Sequence, residues 1–134
     1  MSLDLDSIHA AHERIRAYIH RTPVLTSSRL DGASGASLFF KCENFQTIGA
    51  FKARGATNAV FSLDDATARR GVATHSSGNH GAAVARAAKL RGISAHIVMP
   101  STYRWTIAKF GSPIFVRSPS AIVNFFSVTN RRPA

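Results

Sequence analysis

The sequence predicts an α/β fold built around a parallel sheet. An apolar, strand-like segment at residues 72–75 is followed by a glycine-containing turn, an alanine-rich helical segment, and a second strand-like segment at residues 95–99. Strand, helix and strand in this order form one βαβ unit over residues 72–99, whose crossover places both strands in parallel. No repeat or linker-like stretch divides the 134 residues, and this length is enough for a buried core.

The first element is a helix predicted over residues 6–20. Asp6 or Ser7 is placed to cap its start, and Thr22-Pro23 ends it because a residue before proline avoids the helical region. Apolar residues recur at helical spacing within it, at Ile8, Ala11 and Ile15.

A short helix and a strand follow. The helix begins at Ser27 or Ser28 and ends near Gly32 or Gly35, residues that favour helix starts and helix ends respectively. Residues 37–42 contain two adjacent phenylalanines, and this aromatic density predicts a buried strand.

Two longer helices complete the predicted elements. Residues 50–62 form a helix despite Gly55, and residues 82–91 form the helix of the βαβ unit. Gly92 stands directly after the second helix, the position where glycine commonly ends helices.

Composition and charge place the chain among globular proteins. Hydrophobic residues make up 45% and charged residues 18% of the sequence, and the net charge is +10. The first 65 residues hold all seven acidic residues and seven basic ones, and ten unopposed basic residues follow. Such an excess can supply non-specific phosphate affinity, but the sequence contains no recognised nucleic-acid-binding motif. We therefore do not expect a nucleic-acid partner, and a basic nucleic-acid-binding fragment remains only an alternative.

The expected location is the cytoplasm, without membrane contact. No apolar run approaches the roughly 20 residues needed to cross a bilayer, and the first residues carry acids where a signal peptide needs bases. The single cysteine, Cys42, forms no internal disulfide and suits a reducing compartment.

The turn at residues 76–81, with the sequence Ser-Ser-Gly-Asn-His-Gly, joins a strand to the start of a helix. Unpaired N–H groups and the helix dipole favour an anion there, and ligands of open α/β sheets lie beyond the carboxyl ends of strands. Walker A and dinucleotide-binding patterns are both absent. The turn therefore suggests a cradle for a carboxylate or phosphate; the alternative is an ordinary polar turn with Asn79 as the cap.

Lys52 is the second chemically informative residue. It lies between Phe51 and small residues at a predicted helix start, so it could be partly buried. Desolvation would favour the neutral amine that Schiff-base chemistry requires. The alternative is a solvated surface lysine.

The two segments together carry a resemblance. Phe-Lys-Ala-Arg-Gly-Ala at residues 51–56 precedes Thr-His-Ser-Ser-Gly-Asn-His-Gly at residues 74–81 by about twenty residues, and residues 22–28 and 38–46 agree as well. This pattern resembles the serine/threonine dehydratase and serine racemase family, over about residues 8–100 and in the family's order.

The resemblance implies pyridoxal 5'-phosphate (PLP) as the cofactor. Lys52 matches the lysine that carries PLP and then acts as the base on the substrate's α-proton. Phe51 matches the aromatic residue beside the cofactor ring, and Asn79 matches the asparagine that hydrogen-bonds the phenolic oxygen of PLP. Ser77 matches the acid/base that racemases use on the opposite face. The residues matching the loop that binds the substrate carboxylate are Ser76, Ser77, Asn79 and His80.

The resemblance also implies a fold and a reaction. The fold is part of the three-layer α/β architecture of PLP fold-type II enzymes, which are similar to the tryptophan synthase β subunit. Residues 1–70 match the N-terminal part of the large PLP-binding domain, and residues 71–102 match the start of a smaller domain. The implied reaction converts L-threonine or L-serine to a 2-keto acid and ammonia, with serine racemisation as the alternative. A non-catalytic relative that pairs with a full-length enzyme is a third possibility, and a full-length form would be a homo-oligomer.

Residues 103–134 depart from the family pattern. They contain five basic residues, no acidic residue and six of the chain's twelve aromatic residues. We interpret them as a frameshifted or alternatively spliced end; the alternative is a short paralogue with a basic tail. The family's glycine-rich phosphate loop, the group facing the pyridine nitrogen and the metal site are not found in the sequence. We therefore expect no metal site and no activity from this exact chain.

Overall fold

The structure is a computed structural model that describes residues 4–100, 114–117 and 123–128, with side chains described for residues 4–99. Most of the predicted tail at residues 103–134 lies outside this part. The interpretation of that tail and the division into domains at residues 70 and 102 therefore stay predictions. No helix among the described residues is both long and apolar enough to cross a membrane.

The described residues form five helices and six strands. The helices are α1 (Leu5–Ile15), α2 (Ser28–Ser34), α3 (Lys52–Phe61), α4 (Asp65–Arg69) and α5 (Asn79–Arg91). The strands are β1 (Val24–Leu25), β2 (Phe40–Lys41), β3 (Val72–His75), β4 (Ala95–Pro100), β5 (Ile114–Arg117) and β6 (Val123–Val128).

The main sheet has four strands in the order β3-β4-β6-β5. Strands β3 and β4 are parallel, with Val72 opposite Ala95 and His75 opposite Val98, which confirms the predicted βαβ unit. Strand β6 pairs antiparallel with β4, and β5 pairs antiparallel with β6. The sheet is therefore mixed rather than purely parallel, and its two antiparallel strands both lie within residues 103–134, the segment that departs from the family pattern.

Helix α5 packs between helix α3 and the sheet, and its small side chains make this close packing possible. Seven of its thirteen residues are buried, mostly alanines, and Ala87 and Ala88 have no exposed surface. On the sheet side, Ile97 is 1% exposed and is one of the two largest fully buried side chains. An alanine face lets backbones approach closely, so α3, α5 and β3–β4 form the structural core that positions the site.

The first helix differs from its prediction at both ends. Asp4, rather than Asp6 or Ser7, is its cap: the Asp4 carboxylate accepts the Ser7 N–H at 2.8 Å, and the Ser7 hydroxyl accepts the Asp4 N–H at 3.3 Å. This reciprocal capping box satisfies two N–H groups at once. The α-helix ends at Ile15 and continues as a 3-10 turn over Arg16–Tyr18 instead of reaching residue 20.

The predicted buried strand at residues 37–42 is wrong in extent and in burial. Only Phe40 and Lys41 form a strand, whose partner is β1. Phe39 is 71% and Phe40 43% exposed. The aromatic pattern correctly located a strand, but burial requires a covering layer, and within residues 4–99 none covers these phenylalanines.

The helix ends were predicted more accurately. Ser27 caps α2, accepting the Leu30 N–H at 3.4 Å, and Gly35 ends it with φ of 69°. Gly92 ends α5 with φ of 75°, a conformation that glycine adopts without steric cost. Helix α5 starts three residues earlier than predicted, at Asn79, so Asn79 is its first helical residue and not its cap.

Candidate active site

The candidate site begins where β3 ends and α5 starts. The Ser76 N–H donates to the Val98 carbonyl at 3.0 Å, extending the β3–β4 pairing by one residue. The Ser76 hydroxyl then accepts the N–H groups of Gly78 at 3.2 Å and Gly81 at 3.0 Å. Ser76 therefore fixes the shape of the turn, while its hydroxyl hydrogen remains available to donate to an anion such as the predicted carboxylate.

Gly81 allows α5 to start this close to the sheet. A Cβ atom at this position would lie 2.9 Å from the Ser76 carbonyl oxygen and 3.3 Å from Cγ2 of Ile97. Both distances are shorter than ordinary van der Waals contact, so a side chain would push the helix away from the turn. The glycine thus keeps the N-terminus of α5 against the end of β3.

Three N–H groups of the turn remain available to a ligand. Within the described part of the chain, the N–H groups of Ser77, Asn79 and His80 have no acceptor, as expected for the first turn of a helix. They lie at the positive end of a 13-residue helix. Ser77 is half-buried, whereas Asn79 and His80 are exposed. This arrangement suits a small anion such as a carboxylate.

Lys52 is the first residue of α3, and it is exposed. Its ammonium lies 5.0 Å from the centre of the Phe51 ring, which is 59% exposed, within range of a cation–π contact. The predicted partial burial of Lys52 is therefore wrong for the described residues. The buried face of α3 is formed by Ala53, Ala56, Thr57 and Val60. That stripe starts one residue after Lys52 and leaves the lysine at its edge.

A cavity of about 470 Å³ unites the two segments that the sequence singled out. Lys52 and Phe51 line it from the start of α3, and His80 lines it from the start of α5. Ser76, Ser77 and Asn79 are not among its lining residues, although they belong to the same turn as His80. The remaining lining residues are small or apolar: Gly55, Ala56, Ala59, Val60, Leu63, Val72, Ala73, Thr74 and Val84.

The cavity fits a small organic cofactor. Its volume lies within the range of about 300–1,000 Å³ typical of ligand pockets. Its lining combines apolar walls, one primary amine and one imidazole. Among the described residues no three His, Cys, Asp or Glu side chains come together as a metal site would require. An amine beside an aromatic ring is the combination that the resemblance implies for PLP, whose aldehyde reacts with the amine.

An ion pair near Lys52 was not predicted from the sequence. The Arg54 side chain donates two hydrogen bonds to the Glu43 carboxylate, from Nε at 2.8 Å and from Nη2 at 2.7 Å. These bonds, together with one from the Thr22 hydroxyl, lower the pKa of Glu43 to about 2 from its ordinary 4.5. Glu43 in turn raises the pKa of Arg54. An acid and a base eleven positions apart carry no periodic signal, so only the folded chain reveals the pair.

The chain matches known proteins in both sequence and fold. The sequence profile of the family described as "Pyridoxal-phosphate dependent enzyme" matches residues 15–111. The match extends beyond residue 100, where we expected the resemblance to stop, and into the predicted tail.

Individual relatives agree with the profile. The β-hydroxyaspartate dehydratase of Paracoccus denitrificans is 57% identical over 115 residues, covering 83% of this chain and 36% of that protein. The serine racemase of Arabidopsis thaliana is 64% identical over 97 residues, covering 72% of this chain and 29% of that protein. The chain therefore spans about a third of the length of the curated relatives it matches.

Solved structures give the same result for the fold. The structure of maize serine racemase is matched with a TM-score of 0.70 and 61% identity, over 75% of this chain and 31% of that one. The crystal structure of the T.th. threonine deaminase is matched with a TM-score of 0.66 and 44% identity, over 75% of this chain and 32% of that one. The described fold is thus part of the fold of these PLP enzymes, as the resemblance implied.

Proposed function

Because this chain belongs to the family of pyridoxal-phosphate-dependent enzymes, we propose that it forms the lysine-bearing part of an enzyme that acts on a small hydroxy amino acid. The observation that carries the proposal is the shared cavity: Lys52 and His80 are 28 positions apart in sequence, yet both line it. The cavity is bordered by an amine suited to PLP, and the adjoining turn offers N–H groups suited to a carboxylate.

Each side chain has a role in this proposal. Lys52 holds the cofactor and afterwards accepts the α-proton of the substrate on its Nζ atom. Phe51 packs beside the cofactor ring, and Asn79 donates a hydrogen bond to the phenolic oxygen of the cofactor. The N–H groups of Ser77 and His80 bind and orient the substrate carboxylate. The substrate-binding set is Ser76, Ser77, Asn79 and His80.

PLP, when bound, supplies the electron sink that makes α-proton removal possible. We propose dehydration as the main reaction: the α-proton and the β-hydroxyl group of L-threonine or L-serine leave together as water, and water then hydrolyses the released enamine to a 2-keto acid and ammonia. The relatives named as a dehydratase and a threonine deaminase support this choice.

Serine racemisation is the second candidate, and the relatives named as serine racemases support it equally. In that reaction Ser77 returns a proton to the opposite face of the α-carbon. Ser77 is half-buried and belongs to the turn that borders the cavity, so a hydroxyl donor is present in the right segment. We retain a cytoplasmic location, and for a full-length form a homo-oligomer, as parts of the proposal.

The first experiment tests the cofactor. The chain is incubated with PLP, the adduct is fixed with borohydride, and the modified lysine is identified by peptide mass mapping. We expect modification mainly at Lys52, and none at that position in the Lys52→Ala variant. Equal modification of all four lysines, Lys41, Lys52, Lys89 and Lys109, would contradict the proposed role of Lys52.

The second experiment tests the reaction. The PLP-treated chain is incubated with L-threonine or L-serine, and 2-keto acid and D-serine are measured by chromatography. Keto acid from L-threonine supports dehydration, whereas D-serine that disappears in the Ser77→Ala variant supports racemisation. We expect neither product from this chain alone, because residues 103–134 depart from the family pattern, and either product would overturn that expectation.

A further inference from the structure

We propose that Glu43, acting through Arg54, is a positioning residue that fixes the first turn of α3 and thereby aims Lys52 into the cavity. This inference rests on the proposed function, because it assigns a role in presenting the lysine that carries the cofactor. Neither Glu43 nor Arg54 contacts the cavity, so the effect passes through the backbone of α3.

The first observation is the geometry of the ion pair. Arg54 lies two residues after Lys52, in the first turn of α3. Its Nε and Nη2 atoms approach the two different oxygens of the Glu43 carboxylate, at 2.8 and 2.7 Å. A two-pronged contact of this kind fixes the orientation of the guanidinium as well as its distance. The contact therefore fixes the rotational orientation of the first turn of α3 as well as its position.

The second observation is that Glu43 is itself anchored. The Thr22 hydroxyl donates to its Oε1 atom at 2.5 Å, and Thr22 is only 4% exposed. The Lys41 ammonium donates to the Thr22 carbonyl at 2.6 Å, which fixes the backbone at this residue. The Glu43 carboxylate is thus a fixed point for Arg54.

The third observation concerns the loop before α3. The Gln46 side chain is 3% exposed and bridges to His20, accepting its N–H at 2.8 Å and donating to its carbonyl at 2.9 Å. Arg54 donates to that same His20 carbonyl, at 3.3 Å. Gln46, three residues after Glu43, and Arg54 therefore share the His20 carbonyl as a hydrogen-bond acceptor.

The fourth observation is that the start of α3 has no side-chain cap. Its N-cap residue is Phe51, in a helical conformation and without a side-chain cap. Just upstream, Ile48 and Gly49 both have positive φ angles, 65° and 73°, and such a conformation persists in isoleucine only where its surroundings hold it. In place of a side-chain cap, the hydrogen bonds around Glu43 determine that α3 begins at Lys52.

The Glu43–Arg54 ion pair is also partly shielded from solvent, so its loss should affect the start of α3. The Glu43 side chain is 18% and the Arg54 side chain 30% exposed. By contrast, the pair of Glu13 at the end of α1 with Arg16 in the following 3-10 turn has a similar separation of 2.7 Å, but its side chains are 65% and 64% exposed. Exposed pairs of this kind contribute little, whereas loss of one member of a sheltered pair leaves the other charge uncompensated. Glu13 therefore offers a matched control.

The test compares Glu43→Gln with Glu13→Gln in the full chain. Each variant is treated with limiting PLP and borohydride, and the share of the label on Lys52 is measured against the other lysines, Lys41, Lys89 and Lys109. Circular dichroism records the helix content of each sample. We expect Glu43→Gln to lower the Lys52 share, taken as the ratio of the label on Lys52 to the mean label on the other three lysines, roughly fivefold, the factor that corresponds to about 1 kcal/mol, with helix content unchanged. Glu13→Gln should match the wild type.

Arg54→Lys is the second variant, because it keeps the charge but lacks the two-pronged geometry. With the introduced lysine left out of the comparison, it should lower the label on Lys52 relative to Lys41, Lys89 and Lys109 as well, and it decides the question if Glu43→Gln does not fold. The inference is overturned if the variants keep the wild-type Lys52 share, or if the share falls only together with the helix signal. A wild type without preference for Lys52 would overturn the proposed function itself. A selective wild type with equally selective variants would overturn only the positioning role.

Discussion

Replacing Gly81 by alanine should destabilise the protein, although alanine is the better helix former. Gly81 is buried in the first turn of α5. The added methyl group would lie 2.9 Å from the Ser76 carbonyl oxygen and 3.3 Å from Ile97 Cγ2. Neither neighbour can move away at low energetic cost, because one is a backbone atom and the other belongs to a core residue that is 1% exposed. The helix start must therefore move away from the turn.

The magnitude follows from two opposed effects. Overpacking in a tight core costs about 1–3 kcal/mol, while glycine to alanine within a helix contributes about 1 kcal/mol in the favourable direction. We expect a net loss of up to about 2 kcal/mol. With a urea dependence of about 2 kcal/mol per molar, the unfolding midpoint should fall by up to about 1 M.

The assay is urea unfolding followed by circular dichroism, with Gly55→Ala as the control. Gly55 is also within a helix, but a Cβ atom there would meet nothing within 4 Å. Its replacement should raise the stability by about 0.5–1 kcal/mol, so the two alanine variants should move the midpoint in opposite directions. A Gly81→Ala midpoint at or above the wild-type value would refute the steric argument.

Three further predictions concern the polar groups. The pKa of Glu43, about 2, lies below its ordinary 4.5, so its stabilisation is present above pH 4.5 and is lost as the pH falls towards 2. Thermal unfolding across this range should therefore show a loss of about 3 kcal/mol beyond the loss that Glu43→Gln shows. Ser76→Ala removes the acceptor of the Gly78 and Gly81 N–H groups and should cost about 1–2 kcal/mol in urea unfolding; an unchanged midpoint would show that water replaces the hydroxyl. Ser27→Ala removes the cap of α2 and should cost about 1 kcal/mol, visible as faster amide exchange confined to that helix.

Much of the local structure was determined by the sequence alone. The βαβ unit, the cap at Ser27 and the helix ends at Gly35 and Gly92 all follow from side-chain periodicity, capping and the conformational freedom of glycine. These rules act over a few residues, which is why they can be read without a structure. The residue pattern at positions 51–56 and 74–81 likewise indicated the family, which the matched profile confirmed.

Other features depended on the packing of distant segments. The exposure of Phe39 reflects which layers cover it, and the carboxylate that holds Arg54 lies eleven positions upstream. The same holds for the edge position of Lys52, one residue before the buried stripe of α3, where the sequence suggested burial. Burial and ion pairing are properties of neighbours in space, and local patterns do not encode them.

The sequence by itself thus singled out Lys52 and the turn at residues 76–81 as the candidate site, because together they carry the family pattern. Only the tertiary structure decided that Lys52 and His80 line one cavity. It also showed that the Ser76 hydroxyl accepts the N–H groups of Gly78 and Gly81. The physical reason is the contact between α3 and α5. Small side chains on these helices let them approach closely, which brings both helix starts to the same end of the sheet.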